Sequence, residues 1–156
     1  MSQHDTGWLD RSRQLLTRLP VRHISTQRMA PFQFNPNQEL RWRMICDQWK
    51  REKKIRVIDL KSRRVGVSAQ TDALFWCFAM SFSHMNTKIV AHLAGSAEEL
   101  FRVPSDLARA FPGFPLEDIQ QKRLLFKHPD GDSQMTMATA GTPSAGRGGT
   151  LSALHL

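Results

Sequence analysis

With 156 residues, 40% of them hydrophobic, the chain is long enough to bury a core of about one domain. It has no run of about 18 apolar residues, and its start, MSQHDTGWLDRSRQLL, carries early acids, which argues against a membrane span and a secretory signal. Lys and Arg outnumber Asp and Glu 22 to 14, for a formal net charge of +8. That balance suits polyanionic partners such as nucleic acid or nucleotide phosphates, and equally a basic surface that keeps a protein dissolved. The cysteines, Cys46 and Cys77, sit in no metal-ligand or C-x-x-C spacing, so a reducing, cytosolic setting is the simple expectation.

Residues 1–30 read as a basic leader, in which DRSRQLLTRL can form one short amphipathic helix ended by Pro20. Trp8 in this leader is free to dock on a partner. A Pro/Asn-rich turn then opens a helix. Asn37 is its expected N-cap, Leu40, Met44, Ile45 and Trp49 are expected to face inward, and the end falls near Lys53. IRVIDL, residues 55–60, is a β-branched run of strand length, apolar enough for a buried parallel sheet. A basic loop at 61–68 follows, and AQTDALFWCFAMSF predicts a helix that is apolar on more than one face. Its aromatics, with Trp42 and Trp49, have the spacing of core side chains rather than of base-stacking ones.

KIVAHLA is a second strand, and SAEELFRVPSDLARAF a helix bent or split at Pro104. RLLFKHPDGDSQMTMATA predicts a hairpin turning at PDGD, with Met135 and Met137 on one face. GTPSAGRGGT is a Gly-rich loop, and LSALHL an apolar strand that includes His155. Strands alternating with helices imply βαβ units, an α/β fold with a mostly parallel sheet flanked by helices.

The loop KSRRVGVS departs from the phosphate-binding pattern G-x-x-x-x-G-K-[ST]. Lys61 stands where the first Gly belongs, and Val67 where the Lys belongs. Gly66 still lets the backbone turn close to an anion, and Ser68 can offer a hydroxyl to a metal at the helix start. Lys61 can fold its flexible ammonium back to the same phosphates, and Arg63 and Arg64 add charge. A basic strand–helix turn of no special purpose would look much the same.

LKSRRVGVSAQTDALFWCF resembles the deviant Walker A segment of the large terminase subunits of tailed phages, ATPases that drive DNA into procapsids. One branch of that family places its lysine first, as K-S-x-R-V-G-x-S, which is Lys61, Ser62, Arg63, Arg64, Val65, Gly66, Val67 and Ser68 here. FQFNPNQELRW resembles the upstream adenine-contacting segment, with Gln38 the matching glutamine. KIVAHLAGSAEELFR and TAGTPSAGRGGTLSALHL resemble the second strand and the approach to Walker B.

The resemblance covers residues 31–156 and implies a P-loop NTPase domain of the ASCE type, incomplete here. It implies ATP and magnesium as ligands, with Ser68 on the metal. Arg147 would be a finger reaching a neighbouring subunit's γ-phosphate. The implied partners are double-stranded DNA, a small terminase subunit and a portal protein, around a homo-oligomeric ring in the bacterial host cytoplasm.

The family pattern needs acids at the end of the Walker B strand, and LSALHL runs to Leu156 with none behind it. The family's nuclease domain has no counterpart either. The chain is therefore expected to be the N-terminal portion of such a protein, binding nucleotide weakly at best and not turning it over. Two rivals stand beside this reading. A helicase-type ATPase would normally keep Gly and Lys where Lys61 and Val67 stand. A non-enzymatic basic DNA-binding protein leaves SAGRGGTLSALHL without a purpose.

Overall fold

A computed structural model describes residues 7–23, 26–60, 66–114, 119–120, 122–142 and 150–156. Helix α1 (Gly7–Leu16) leads to a small antiparallel pair, β1 (Pro20–Arg22) and β2 (Met29–Pro31), and then to helix α2 (Pro36–Glu52). Helix α3 (Val67–Ser81), strand β3 (Asn86–Ala91) and helix α4 (Ala94–Ala110) follow. Strands β4 (Ile119–Gln120), β5 (Arg123–Phe126), β6 (Ser133–Thr139) and β7 (Ala153–His155) complete a five-stranded sheet, ordered β4-β5-β6-β3-β7.

The fold is mixed α/β, a mixed sheet flanked by helices. Strands β6, β3 and β7 run parallel, whereas β4–β5 and β5–β6 pair antiparallel. The hairpin expected at PDGD is present, since so short a turn allows only antiparallel pairing of β5 with β6, and with the added β4–β5 pair it makes the sheet less parallel than expected. Met135 and Met137 lie buried on one face of β6, as the alternation predicts.

The main core joins the sheet to α3 and α4 through Trp76, Ile89, Phe101, Leu107, Leu124 and Met135. A second cluster, Trp8, Leu9, Trp42, Ile45 and Leu74, joins α1, α2 and α3. Trp8 is therefore not a free docking residue. It is buried, with its ring centroid 5.4 Å from those of Trp49 and Phe78. Trp42 and Trp76 are core residues, as their spacing predicts. Burial also pushes the free Cys77 thiol up to about 12, which makes it inert.

Three local expectations need correction. Helix α2 starts from Asn35, not Asn37. The Asn35 side chain accepts from the amides of Asn37 and Gln38, and Gln38 Oε1 accepts in return from the Asn35 amide, a capping box. The buried stripe then falls on Gln38, Trp42 and Ile45, and it leaves Leu40 and Met44 exposed. Of the two outcomes expected at Pro104, bent or split, the split does not occur, since α4 runs on from Ala94 to Ala110 with Pro104 buried inside it.

The third correction concerns IRVIDL, which forms no strand. Residues 54–60 lie outside the sheet, and Ile58 and Leu60 are fully exposed. Strand propensity measures how well a side chain fits a half-buried pleated surface, and among the described residues no strand lies beside this run to provide one. Side chains of α2 hold it instead. Arg41 Nε bonds both carboxylate oxygens of Asp59 at 3.0 Å, and Gln48 Oε1 accepts from the Arg56 amide at 2.9 Å.

Residues 7–16 are bound into the core, so Leu9→Ala, at a fully buried site, should lower stability by about 3 kcal/mol. Urea unfolding measures this. A loss of no more than about 0.5 kcal/mol, typical of a surface position, would show that α1 does not pack there.

Candidate functional site

Helix α3 begins at Gly66, whose φ of +75° is left-handed, a conformation glycine adopts without strain. Unlike α2, this helix has no side-chain cap and no acid in its first turn. The first amides of a helix lack intrahelical partners and carry the positive end of its dipole, so this start suits an anion. Val67 and Ser68, the first two helical residues, line a groove of about 1150 Å³, which is more than the size range usual for small-molecule pockets.

Two glutamine amides fix this helix start to α2. Gln38 Nε2 donates to the Gly66 carbonyl at 2.7 Å, and Gln70 Nε2 donates to the Gln38 carbonyl at 2.8 Å. Both glutamines are buried. The left-handed φ favours glycine, and a Cβ at position 66 would stand 2.7 Å from Gln38 Nε2 and push that amide out of its bond. Arg41 extends the link by donating to Gln70 Oε1 at 3.4 Å while it holds Asp59.

Of the residues expected at the site, Gln38, Gly66, Val67 and Ser68 come together here. Gln38 spends one amide hydrogen on Gly66 and accepts from Asn35 in the capping box, so its side chain is engaged in structure. Lys61, Ser62, Arg63, Arg64, Val65 and Arg147 lie outside the described residues. For magnesium, the described residues contain no cluster of three or more His, Cys, Asp or Glu side chains. Ser68 does fit the lesser requirement of this ion, which takes few protein ligands beside phosphate and water.

The far wall of the groove is β7 with its flanking residues, and the near rim carries Lys53, Lys54, Arg56 and Asp59. Asp72 of α3, which does not line the groove, is fully buried and meets His155 of β7, with Nδ1 to Oδ1 at 2.6 Å. Burial pushes the Asp72 carboxyl up to about 6, with the His155 bond and the Arg41 charge opposing that shift. The sequence reading missed this pair and Arg41. A signal for the first existed, since Asp72 is the single charged residue in a helix of 15.

No model of a known protein family matches the chain, and no curated protein matches it either. Among the described residues, no helix is long and apolar enough to cross a membrane.

The Asp72 shift has a consequence for stability. Its folded pKa lies above the unfolded value of 3.8, so between about pH 4 and 6 the native state binds the extra proton. The contribution of Asp72 is therefore most favourable below pH 4 and is lost as pH rises through 6. Asp72→Asn cannot titrate, so its stability relative to wild type should rise across that interval and level off above it. Urea unfolding at pH 4, 5, 6 and 7 checks the trend, and a constant difference would contradict it.

Proposed function

We propose that this chain is the nucleotide-binding part of a DNA-packaging ATPase of the large-terminase type, with an ASCE P-loop NTPase fold. One observation carries the reading: α3 opens on a left-handed glycine, uncapped and free of acid, with Ser68 in the groove beside it. That is the physical requirement for phosphates at a helix start, and it falls at the position where the sequence resembles a lysine-first Walker A loop.

In this reading the backbone amides at 66–68 take the phosphates, and Lys61, with Arg63 and Arg64, neutralises their charge, with Ser62 and Val65 belonging to the same motif. Ser68 holds magnesium, which screens the terminal phosphates when bound. Gln38, docked on Gly66, ties the adenine-side segment to the phosphate side. Arg147 serves a neighbouring subunit's nucleotide in a homo-oligomeric ring. The work of such a motor is translocation of double-stranded viral DNA in the bacterial host cytoplasm, with a small terminase subunit and a portal protein as partners. The net charge of +8 agrees with a DNA track and also favours the plain DNA-binding alternative.

Titration of the chain with a fluorescent ATP analogue and magnesium, beside Lys61→Ala, separates the two. The reading predicts saturable binding that weakens about tenfold or more in the variant, the size of one lost charge-assisted contact. No binding to a chain that circular dichroism shows to be folded, together with DNA affinity that falls steeply with salt and ignores nucleotide, would replace it by the DNA-binding alternative.

A further inference from the structure

The groove continues well past the start of α3. Phe78, which lines it, stands ten residues beyond Ser68, about 15 Å further along the helix. One wall is β7 with its flanking residues, the other is the extended stretch 53–59, and Leu74, Phe75 and Phe78 give it an apolar lining from α3.

Both walls carry backbone groups without partners. At the ends of β3, the Met85 and Ala91 carbonyls accept from the amides of Gln134 and Ala140 on the β6 side, and the Asn86 carbonyl accepts from Ser152 on the β7 side. Odd-numbered residues of β3 therefore turn to β6, and even-numbered ones to β7. In the parallel register of Thr87 with Ala153 and Ile89 with His155, Ala153 and His155 bond those even-numbered residues. The N–H and C=O of Leu154 then face the other edge, where β7 has no neighbouring strand among the described residues. On the opposite wall, the Arg56 amide, held by Gln48, is the one backbone group of 54–60 with a hydrogen-bond partner among the described residues.

The rim is positive. Its one acid, Asp59, is taken by Arg41, whereas the exposed Lys54 and Arg56 have no ion-pair partner among the described residues. The Lys53 ammonium is shut in without a hydrogen-bond partner among them, 5.9 Å from the Trp49 ring, a placement that costs free energy until its flexible stem brings it to an acceptor. Unpaired extended edges beside an apolar lining suit a polypeptide, whose main chain completes the ladder. A nucleic-acid strand offers no ladder groups, and a second copy of a chain with net charge +8 brings the wrong sign.

We propose that this groove docks an extended segment of an acidic partner protein, which pairs with the Leu154 edge of β7 and sets carboxylates beside Lys53, Lys54 and Arg56. Alternate apolar side chains of the segment lie on Leu74, Phe75 and Phe78. The site goes beyond the nucleotide reading and does not rest on it, since it uses neither Gly66 nor Ser68.

The test follows amide chemical shifts of the 156-residue chain, without nucleotide, as the synthetic peptide acetyl-Asp-Asp-Val-Thr-Val-Thr-Val-amide is added. Saturable shifts at Leu154 and at 54–58, half complete below about 1 mM, are expected. A peptide with lysines in place of the aspartates should bind about tenfold more weakly, and so should the acidic peptide to Arg56→Glu, which changes an exposed side chain. Leu154→Pro removes the outward N–H and no bond to β3, so it should abolish the shifts at 54–58 while circular dichroism stays unchanged. Should that variant unfold, Arg56→Glu decides. Absence of saturable shifts overturns the inference, as does equal binding of the lysine peptide or by Arg56→Glu, or binding that survives in folded Leu154→Pro. The same shifts produced by oligothymidylate would overturn it in favour of a nucleic-acid strand. With nucleotide absent throughout, none of these results bears on the nucleotide reading.

Discussion

The hydrogen bond from Gln38 to the Gly66 carbonyl is the contact on which the site depends. It fixes where α3 begins, and a side chain at position 66 would displace the Gln38 amide that makes it. Because Gln38 is also the third residue of the α2 capping box, one side chain sets the starts of two helices at once. Gln70 returns a bond to the Gln38 backbone, so the two helix starts are locked from both sides. Among the described residues no side chain caps this helix start, which its neighbours hold in place.

The opposite wall is built by different means. Strand β7 is placed by parallel pairing with β3, from Thr87 opposite Ala153 to Ile89 opposite His155. The Asp72–His155 bond then ties that strand to the helix. The groove therefore has one wall fixed by amide contacts and the other by a sheet register joined to a buried ion-pairing group. Among the described residues, side-chain bonds to α2 and the packing of Ile55 and Val57 on the second core cluster hold residues 54–60 at the rim, outside the sheet, with Ile58 and Leu60 fully exposed.

Much of this was legible from the residues. Gly66 and Ser68 announced the helix start, the length and uniform apolarity of 69–82 announced a buried helix, and the alternation at Met135 and Met137 announced a buried strand face. The failures share a physical cause. Local pattern says what a segment could pack against and not what lies next to it, so IRVIDL read as a strand although no strand among the described residues pairs with it. In α2 the capping box begins the helix at Asn35, which turns Trp42 inward and Leu40 outward. The Asp72–His155 pair is the product of tertiary pairing, and only the isolation of Asp72 among apolar neighbours hinted at it.

The central claim is that the start of α3 receives the phosphates of a nucleotide. Amide chemical shifts followed while ATP with magnesium is added report on it residue by residue. The account predicts saturable shifts concentrated at Gly66, Val67 and Ser68, with smaller ones at Gln38 and Gln70 through their bonds. Saturable shifts gathered elsewhere, with these amides unmoved, would contradict it.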